Sequence, residues 1–336
     1  MKTLPPSPQR RRLMQWSAAS LLPLGSFSAL AQKAAGQDIV KVVCGFPAGS
    51  TSDVTARNLA DRLAQDGYAK TGVVENRTGA GAQIAVQYVV GQSANGGTLL
   101  QTPMSMLGIY PHTYGKLPYD PVTDLTLVSL ACTFDFALAI GPAVPAEVQS
   151  LADFLDWTKA HPDQASFGGP AAGAVPHFIG VLLGRANGLE LTHVAYRGTQ
   201  PAIQDVVGGH LPAVIGPVGD IQRFIGHPGY RMLAVTGAER SRFAPDVPTL
   251  VEQGQKDFAY SEWYGIYMPP HADADTLKRA NAAVVAAFSH PDTIQSLATM
   301  GMEAKTSTPQ ELADLLQSDT ERWAPIVREV GFRADS

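Results

Sequence analysis

The segment between Gly45 and Asp53 constrains the fold more than any other part of the sequence. It reads Gly-Phe-Pro-Ala-Gly-Ser-Thr-Ser-Asp, follows an apolar strand pattern at residues 39–43, and leads into an amphipathic helix pattern. The apolar face of that helix comprises Ala56, Leu59, Ala60 and Leu63. Because unpaired N–H groups and the positive dipole end of a helix point outward at its start, the segment predicts an anion-binding site. A helix start capped by Ser52 or Asp53 gives the same pattern.

A second loop of similar composition lies far along the chain, between Gly168 and His177. It follows a short strand pattern at residues 165–167 and enters an apolar helix through Phe178 and Ile179. Two such loops predict two α/β units that face each other across a cleft.

The N-terminus has the organisation of an export signal. Arg10, Arg11 and Arg12 precede an apolar stretch that ends in Ala-Leu-Ala at residues 29–31. This stretch is too short to span a bilayer comfortably, and its arginines fit either a twin-arginine or a Sec signal. We therefore expect a signal peptide at residues 1–31 and a mature protein located in the periplasm.

Charge narrows the classes of partner. Removing the signal peptide takes away Lys2 and the three arginines but no acid, so the net charge falls from −5 to −9. Nucleic-acid binding needs a basic face, so we expect no nucleic-acid partner. A small anionic ligand stays compatible, because a desolvated pocket acts locally while salt screens distant charges over about 8–10 Å. We expect a monomer.

The two cysteines, Cys44 and Cys132, leave two alternatives open. Export permits a disulfide between them, and free thiols packed in the core fit the sequence as well. Neither has the CxxC or histidine-pair spacing of a metal site, so we expect no metal and no cofactor.

Enzyme motifs are missing from the sequence. The segment at residues 79–81 begins like a dinucleotide-binding loop, but Ile84 stands where GxGxxG needs its last glycine. GxSxG, HExxH and GxxxxGK do not occur. We expect a protein with no catalytic residues and keep an exported α/β enzyme as the weaker alternative.

Alternating strand and helix patterns predict an α/β fold with mostly parallel sheets. Predicted strands cover residues 39–45, 72–75, 98–102, 125–140, 165–167, 191–196, 213–215, 232–236 and 260–268, and predicted helices include 82–91, 151–160 and 201–207. The strand at 125–140 is long enough to cross between domains. We place one domain at residues 38–132 plus 230–336 and the other at 133–229, joined by two crossover strands that form a hinge.

Seven short segments occur in one order along nearly the whole mature chain, at residues 46–53, 75–81, 116–121, 168–177, 196–199, 246–249 and 262–265. Together they resemble the periplasmic solute receptors of tripartite tricarboxylate transporters, the Bug family. The resemblance implies a two-domain, type II periplasmic-binding-protein (Venus flytrap) fold and an inner-membrane tripartite permease as partner. It also implies an organic carboxylate ligand held between the two loops by amides, hydroxyls and water. The ligand-binding residues that it implies are Phe46, Ala48, Gly49, Ser50, Thr51, Ser52, Asp53, Ala171, Ala172, Gly173, Ala174, His177, Arg197 and Thr199.

The sequence departs from the family pattern in the second loop. Ala174, Val175 and Pro176 stand where the family usually has serines, which removes hydroxyl donors and one amide. Pro212 and Gly216 stand where acidic residues are common in the family. These differences predict a more apolar pocket, which favours a monocarboxylate or an aromatic carboxylate over a citrate-like or amino-acid ligand.

Three side chains have two interpretations each. Asp53 binds a ligand donor or caps the first helix, His177 donates to a carboxylate or packs in the core, and Arg197 pairs with an anion or forms a surface salt bridge. At the level of function, a ligand-sensing adaptor for a membrane sensor kinase is the alternative to a transport receptor.

Overall fold

A computed structural model describes residues 37–334. Residues 1–36, with the predicted signal peptide, and residues 335–336 lie outside the described part. The strands are β1 (Gln37–Cys44), β2 (Ala69–Asn76), β3 (Thr98–Pro103), β4 (Thr126–Ile140), β5 (Ser166–Pro170), β6 (Thr192–Tyr196), β7 (Ala213–Pro217), β8 (Arg231–Val235), β9 (Ser261–Met268) and β10 (Met302–Ala304).

Helices alternate with these strands. They are α1 (Thr51–Gln65), α2 (Gln83–Val90), α3 (Ser105–Gly108), α4 (Tyr110–Thr113), α5 (Leu151–Ala160), α6 (Val175–Ala186), α7 (Thr199–Val207), α8 (Val218–Gln222), α9 (Ala274–Ser289), α10 (Pro291–Thr299) and α11 (Pro309–Val330). The α5 helix has its predicted bounds, and β4 begins one residue after the predicted position. The predicted apolar face of α1 is buried, with each of its four residues at most 1% exposed. Within residues 37–334, no helix combines the length and apolar character needed to cross a membrane.

The strands form a mixed sheet in the order β2-β1-β3-β9-β4-β7-β5-β6, with β8 and β10 also paired to β4. The β1 strand is parallel to β2 and β3, and β5 is parallel to β6 and β7, as predicted. In the centre the prediction of parallel pairing is wrong, because β4 and β9 run antiparallel to all their neighbours. Helix α1 connects β1 to β2 and α6 connects β5 to β6, whereas no crossover helix fixes the direction of β4 against β9.

The long strand β4 belongs to both halves of the sheet. Its first part pairs with β9 and β10, and its second part pairs with β7 and β8. This is the strand in which the sequence places a domain crossing. The division into two domains, with boundaries near residues 132 and 230, stays a prediction.

The two cysteines are buried and unbridged. The Sγ atom of Cys44 lies 3.3 Å from the hydroxyl of Ser52, and the Sγ atom of Cys132 lies 3.7 Å from the sulfur of Met302. Burial raises the pKa of Cys44 to about 11 and that of Cys132 to about 12, so both are neutral thiols. Of the two alternatives, the structure therefore has free thiols packed in the core.

Candidate ligand-binding site

The first loop is organised around the start of α1. Ser50 is the N-cap, rather than Ser52 or Asp53: its Oγ accepts a hydrogen bond from the N–H of Asp53 over 3.2 Å. The same hydroxyl donates to the carbonyl of Pro47 over 2.7 Å. The helix begins at Thr51 because the chain before it is non-helical, with φ of +80° at Gly49. The loop thus presents the N-terminus of a helix of 15 residues.

The second loop leads into α6 without a side-chain cap at Ala174. The N–H of Gly173 donates to Nδ1 of His177 over 3.0 Å, and the N–H of Val175 donates to the hydroxyl of Ser105 over 3.3 Å. Gly173 has φ of +79°, and an added Cβ there would lie 3.0 Å from Thr113. Glycine at this position therefore allows the turn that places the start of α6 beside α3.

Both loops line one small cavity, which we call the inner cavity. Its lining includes Phe46, Ser50, Thr51, Ser52, Ala171, Ala174 and Thr199 from the predicted set. The volume of about 30 Å³ holds one or two water molecules. A neighbouring outer cavity of about 230 Å³ is lined by the predicted residues Ala172 and Arg197, and Phe46 and Ala171 line both cavities.

Asp220, at 2% exposure, is the first of two buried acids in the inner cavity. Its Oδ1 accepts a hydrogen bond from the N–H of Thr51 over 2.9 Å, and its Oδ2 lies 3.5 Å from the Thr51 hydroxyl. That hydroxyl is in turn 2.9 Å from the hydroxyl of Tyr264. Burial raises the pKa of Asp220 to about 6, opposed by the Thr51 hydrogen bond and the charge of Arg223.

Glu262, at 4% exposure, is the second buried acid. Its Oε1 accepts a hydrogen bond from the N–H of Ser105 over 2.8 Å and a short one from the hydroxyl of the same serine. Burial raises the pKa of Glu262 to about 7, opposed by these bonds and supported by the charge of Asp319. Both acids therefore gain or lose a proton at a pH close to neutral.

Five predicted residues line neither cavity: Ala48, Gly49, Asp53, Gly173 and His177. Ala48 is exposed, and Gly49 uses its carbonyl to accept hydrogen bonds from the side chains of Gln200 and Arg223. Gly49, Asp53, Gly173 and His177 instead make hydrogen bonds that hold the loops in place.

The Asp53 carboxylate braces the first loop. It accepts hydrogen bonds of 2.8 Å from the N–H of Gly49 and from the side chains of Arg57 and Asn76. These donors hold the pKa of Asp53 below its usual value, although burial opposes them. The structural interpretation of Asp53 is the one that these contacts support.

His177 is packed in the interior at 5% exposure. Its ring stacks on that of His193 with centroids 4.6 Å apart and meets the ring of Phe332 edge-on at 4.3 Å. Burial lowers the pKa of His177 to about 4, so the ring is neutral and its Nδ1 accepts from Gly173. In this environment the neutral ring of His177 is not a charged donor to a ligand carboxylate.

Asp220 and Glu262 were not predicted as cavity residues. Ser105, Phe134 and Phe136, which line the cavity as well, were not predicted either. One signal was available: Glu262 is an acid inside the apolar pattern at residues 260–268, and such an acid is buried only when it has partners or a function.

The sequence of the chain matches a known protein family. The model of the tripartite tricarboxylate transporter receptor family, TctC, matches residues 54–332. Protein BugT of Bordetella pertussis is 29% identical over 295 residues, which cover 88% of this chain and 90% of BugT.

Two solved structures share both fold and sequence. Rpa4515 of R. palustris, solved with adipate, has a TM-score of 0.82 at 26% identity, covering 88% of this chain and 97% of that one. MatC (Rpa3494) from Rhodopseudomonas palustris, solved with bound malate, has a TM-score of 0.79 at 26% identity, covering 86% of this chain and 98% of MatC.

The fold is that of the α/β periplasmic binding proteins. The chain belongs to the receptor family of the tripartite tricarboxylate transporters, whose members include Bug proteins. The predicted resemblance and fold class are confirmed. Because this is a family of solute receptors, the protein is a binding protein and not an enzyme.

Proposed function

We propose that this protein is an exported receptor that captures an organic carboxylate in the inner cavity and delivers it to an inner-membrane tripartite permease. The observation that carries the proposal is that the two loops, about 120 residues apart in sequence, line one cavity with their helix starts. Membership of the family supports the transport role, and the two solved relatives described above contain adipate and malate.

The ligand carboxylate binds to amides and hydroxyls. The starts of α1 and α6 supply positive dipole ends. The N–H groups of Thr51 and Val175 donate to side chains of the protein in this structure, and the hydroxyl of Ser52 donates to Gln101. The ligand carboxylate therefore has to replace these internal acceptors when it binds. No lysine or arginine is among the described residues that line the inner cavity. Partial charges of this kind hold an anion without a full opposite charge, so capture stays reversible.

The ligand class is a carboxylate with one negative charge, with aromatic acids preferred. Phe46, Phe134 and Phe136 line the cavity and provide apolar ring faces for such a ligand. Asp220 and Glu262 already bring two acids into the same cavity, and a second ligand carboxylate adds like-charge repulsion in a low-dielectric site. A citrate-like ligand is therefore disfavoured, and this receptor differs in preference from relatives that bind dicarboxylates.

Ligand entry requires the cavity walls to separate, because about 30 Å³ is far less than any of these acids occupies. Phe46 and Ala171 form the wall shared with the outer cavity, and Arg197 is exposed at the outer cavity. We propose that the predicted domains open and close about the β4 hinge, with Arg197 attracting the anion at the entrance. Small-angle X-ray scattering tests this, with a smaller radius of gyration expected when the ligand is bound.

A thermal-shift screen of aliphatic and aromatic carboxylates, followed by calorimetry, tests the proposed function. At least one acid is expected to raise the Tm by mass action. Ala174→Leu fills the inner cavity and is expected to abolish that shift, whereas Ala48→Leu, on the exposed side of the first loop, is the matched control and keeps it. Absence of any carboxylate-induced shift in the wild type would contradict the proposal.

A further inference from the structure

The inner cavity contains an acceptor that no described residue satisfies. Both hydrogen bonds of Glu262, from the N–H and the hydroxyl of Ser105, go to Oε1. Its Oε2 accepts none, although the side chain is 96% buried and lines the cavity. When Glu262 is ionised, this oxygen can accept a hydrogen bond from a molecule in the cavity.

The second acid does not share this property. Asp220 has a donor for each oxygen, the N–H of Thr51 for Oδ1 and the Thr51 hydroxyl for Oδ2. The titratable groups of the described chain that interact with Glu262 include no cation that could pair with its carboxylate. They are the acid Asp319 and the phenols Tyr110 and Tyr264.

We propose that Glu262 is a specificity-determining residue whose Oε2 accepts a hydrogen bond from an N–H or O–H group of the ligand. The inference rests on the proposed function and specifies its ligand class. The site takes a carboxylate that carries a donor away from its carboxylate group, such as a hydroxy- or amino-substituted acid, in preference to the same acid without it. A bond from such a donor to a buried carboxylate is charge-assisted, and a site built for it rejects ligands that leave the oxygen unpaired.

Size-matched ligand pairs test this proposal by titration calorimetry at pH 8.5, where Glu262, with its pKa raised by burial to about 7, is ionised and Oε2 is an acceptor. The probes are the hydroxybenzoate and aminobenzoate isomers, each against the fluorobenzoate substituted at the same position, and 6-aminohexanoate against hexanoate. In the wild type, at least one donor-bearing acid is expected to bind tenfold or more tightly than its donor-free partner. Equal affinities within each pair, with clear binding of the acids, would overturn the proposal and leave the proposed function standing.

The variant Glu262→Gln tests whether the ligand preference depends on this side chain. The N–H of Ser105 requires an acceptor at the Oε1 position, so the variant amide turns its NH₂ group toward the cavity and can no longer accept there. Loss of the negative charge is expected to strengthen the binding of both acids of a pair, so the readout is the ratio of their affinities, and the preference for the donor-bearing acid is expected to fall at least tenfold.

Glu190→Gln, at an exposed position outside both cavities, is the matched control and keeps the preference. An unchanged preference in Glu262→Gln would overturn the proposal. Failure of every acid to bind the wild type would overturn the proposed function, and this inference with it.

Discussion

Oδ1 of Asp220 accepts a hydrogen bond from the backbone N–H of Thr51 over 2.9 Å, so the first helix already has a carboxylate of the protein itself at its start. The two residues are 169 positions apart and meet in the inner cavity. An incoming carboxylate therefore shares the α1 terminus with a buried acid. The protonation state of that acid sets the electrostatic cost of binding.

Asp220→Asn is expected to strengthen carboxylate binding by about tenfold at pH 8. The variant amide keeps an acceptor for the N–H of Thr51 but removes a negative charge within the cavity, and like charges at such distances repel by about 1–4 kcal/mol. Calorimetry with the tightest-binding acid measures the change, with exposed Asp246→Asn as control. Weaker binding in Asp220→Asn would show that the charge of Asp220 helps the ligand rather than opposes it.

The stability of the ligand-free protein is expected to depend on pH through Glu262. Its pKa is raised from 4.5 to about 7 in the folded chain, so the folded state holds a proton that the unfolded state has released between these values. The free energy of unfolding therefore falls as pH rises from about 4.5 to 7 and is flat above that range. Glu262→Gln removes this contribution, which is on the order of 3 kcal/mol.

Denaturant unfolding of the wild type and of Glu262→Gln at several pH values measures that contribution as a difference. The comparison cancels the opposite effect of His177 and His193, whose pKa values are lowered by burial to about 4 and about 3. A wild-type advantage over the variant that grows with pH would contradict the account.

Asp53→Ala is expected to lower the free energy of unfolding by about 2 kcal/mol, because the Gly49 N–H and the Asn76 side chain lose a charged acceptor. The relative affinities for different acids are expected to stay the same, since Asp53 lines neither cavity. Asp61→Ala, at an exposed position of the same helix, is the control for loss of an acid from α1. A changed order of ligand preference with unchanged stability would assign Asp53 to the ligand instead.

His177→Ala is expected to destabilise the fold by about 2 kcal/mol, since the N–H of Gly173 loses its acceptor and the ring contacts are lost. His177→Asn offers an oxygen near the position of Nδ1 and is expected to recover part of the loss. Denaturant unfolding of both variants checks the order. A tenfold loss of carboxylate affinity in His177→Asn at wild-type stability would contradict a structural role.

Local sequence patterns were sufficient to predict the elements that carry the site. The apolar face of α1, the bounds of α5 and the long strand β4 follow from periodicity and capping, which are local properties. The antiparallel direction of β9 against β4 was not predictable in this way. It depends on pairing between strands more than 100 residues apart, for which the sequence has no turn or crossover signal.

The same distinction applies to the site. The two loops that contain Thr51 and Ala174 could be recognised because small residues before a helix have a local meaning, whereas these two residues themselves were implied by the family resemblance. Asp220 and Glu262 could not be placed, because their burial depends on contacts with Thr51 and Ser105, which are 169 and 157 residues away. The charge balance of the cavity is a tertiary property.

The most direct test of the central claim is a crystal structure of the protein with the carboxylate that raises its Tm most. The account predicts that the ligand carboxylate lies in the inner cavity, within hydrogen-bond distance of amides or hydroxyls in the first loop and in the second loop near Ala174. A carboxylate bound outside that cavity, for example in the surface groove lined by Asp135 and Arg240, would contradict it.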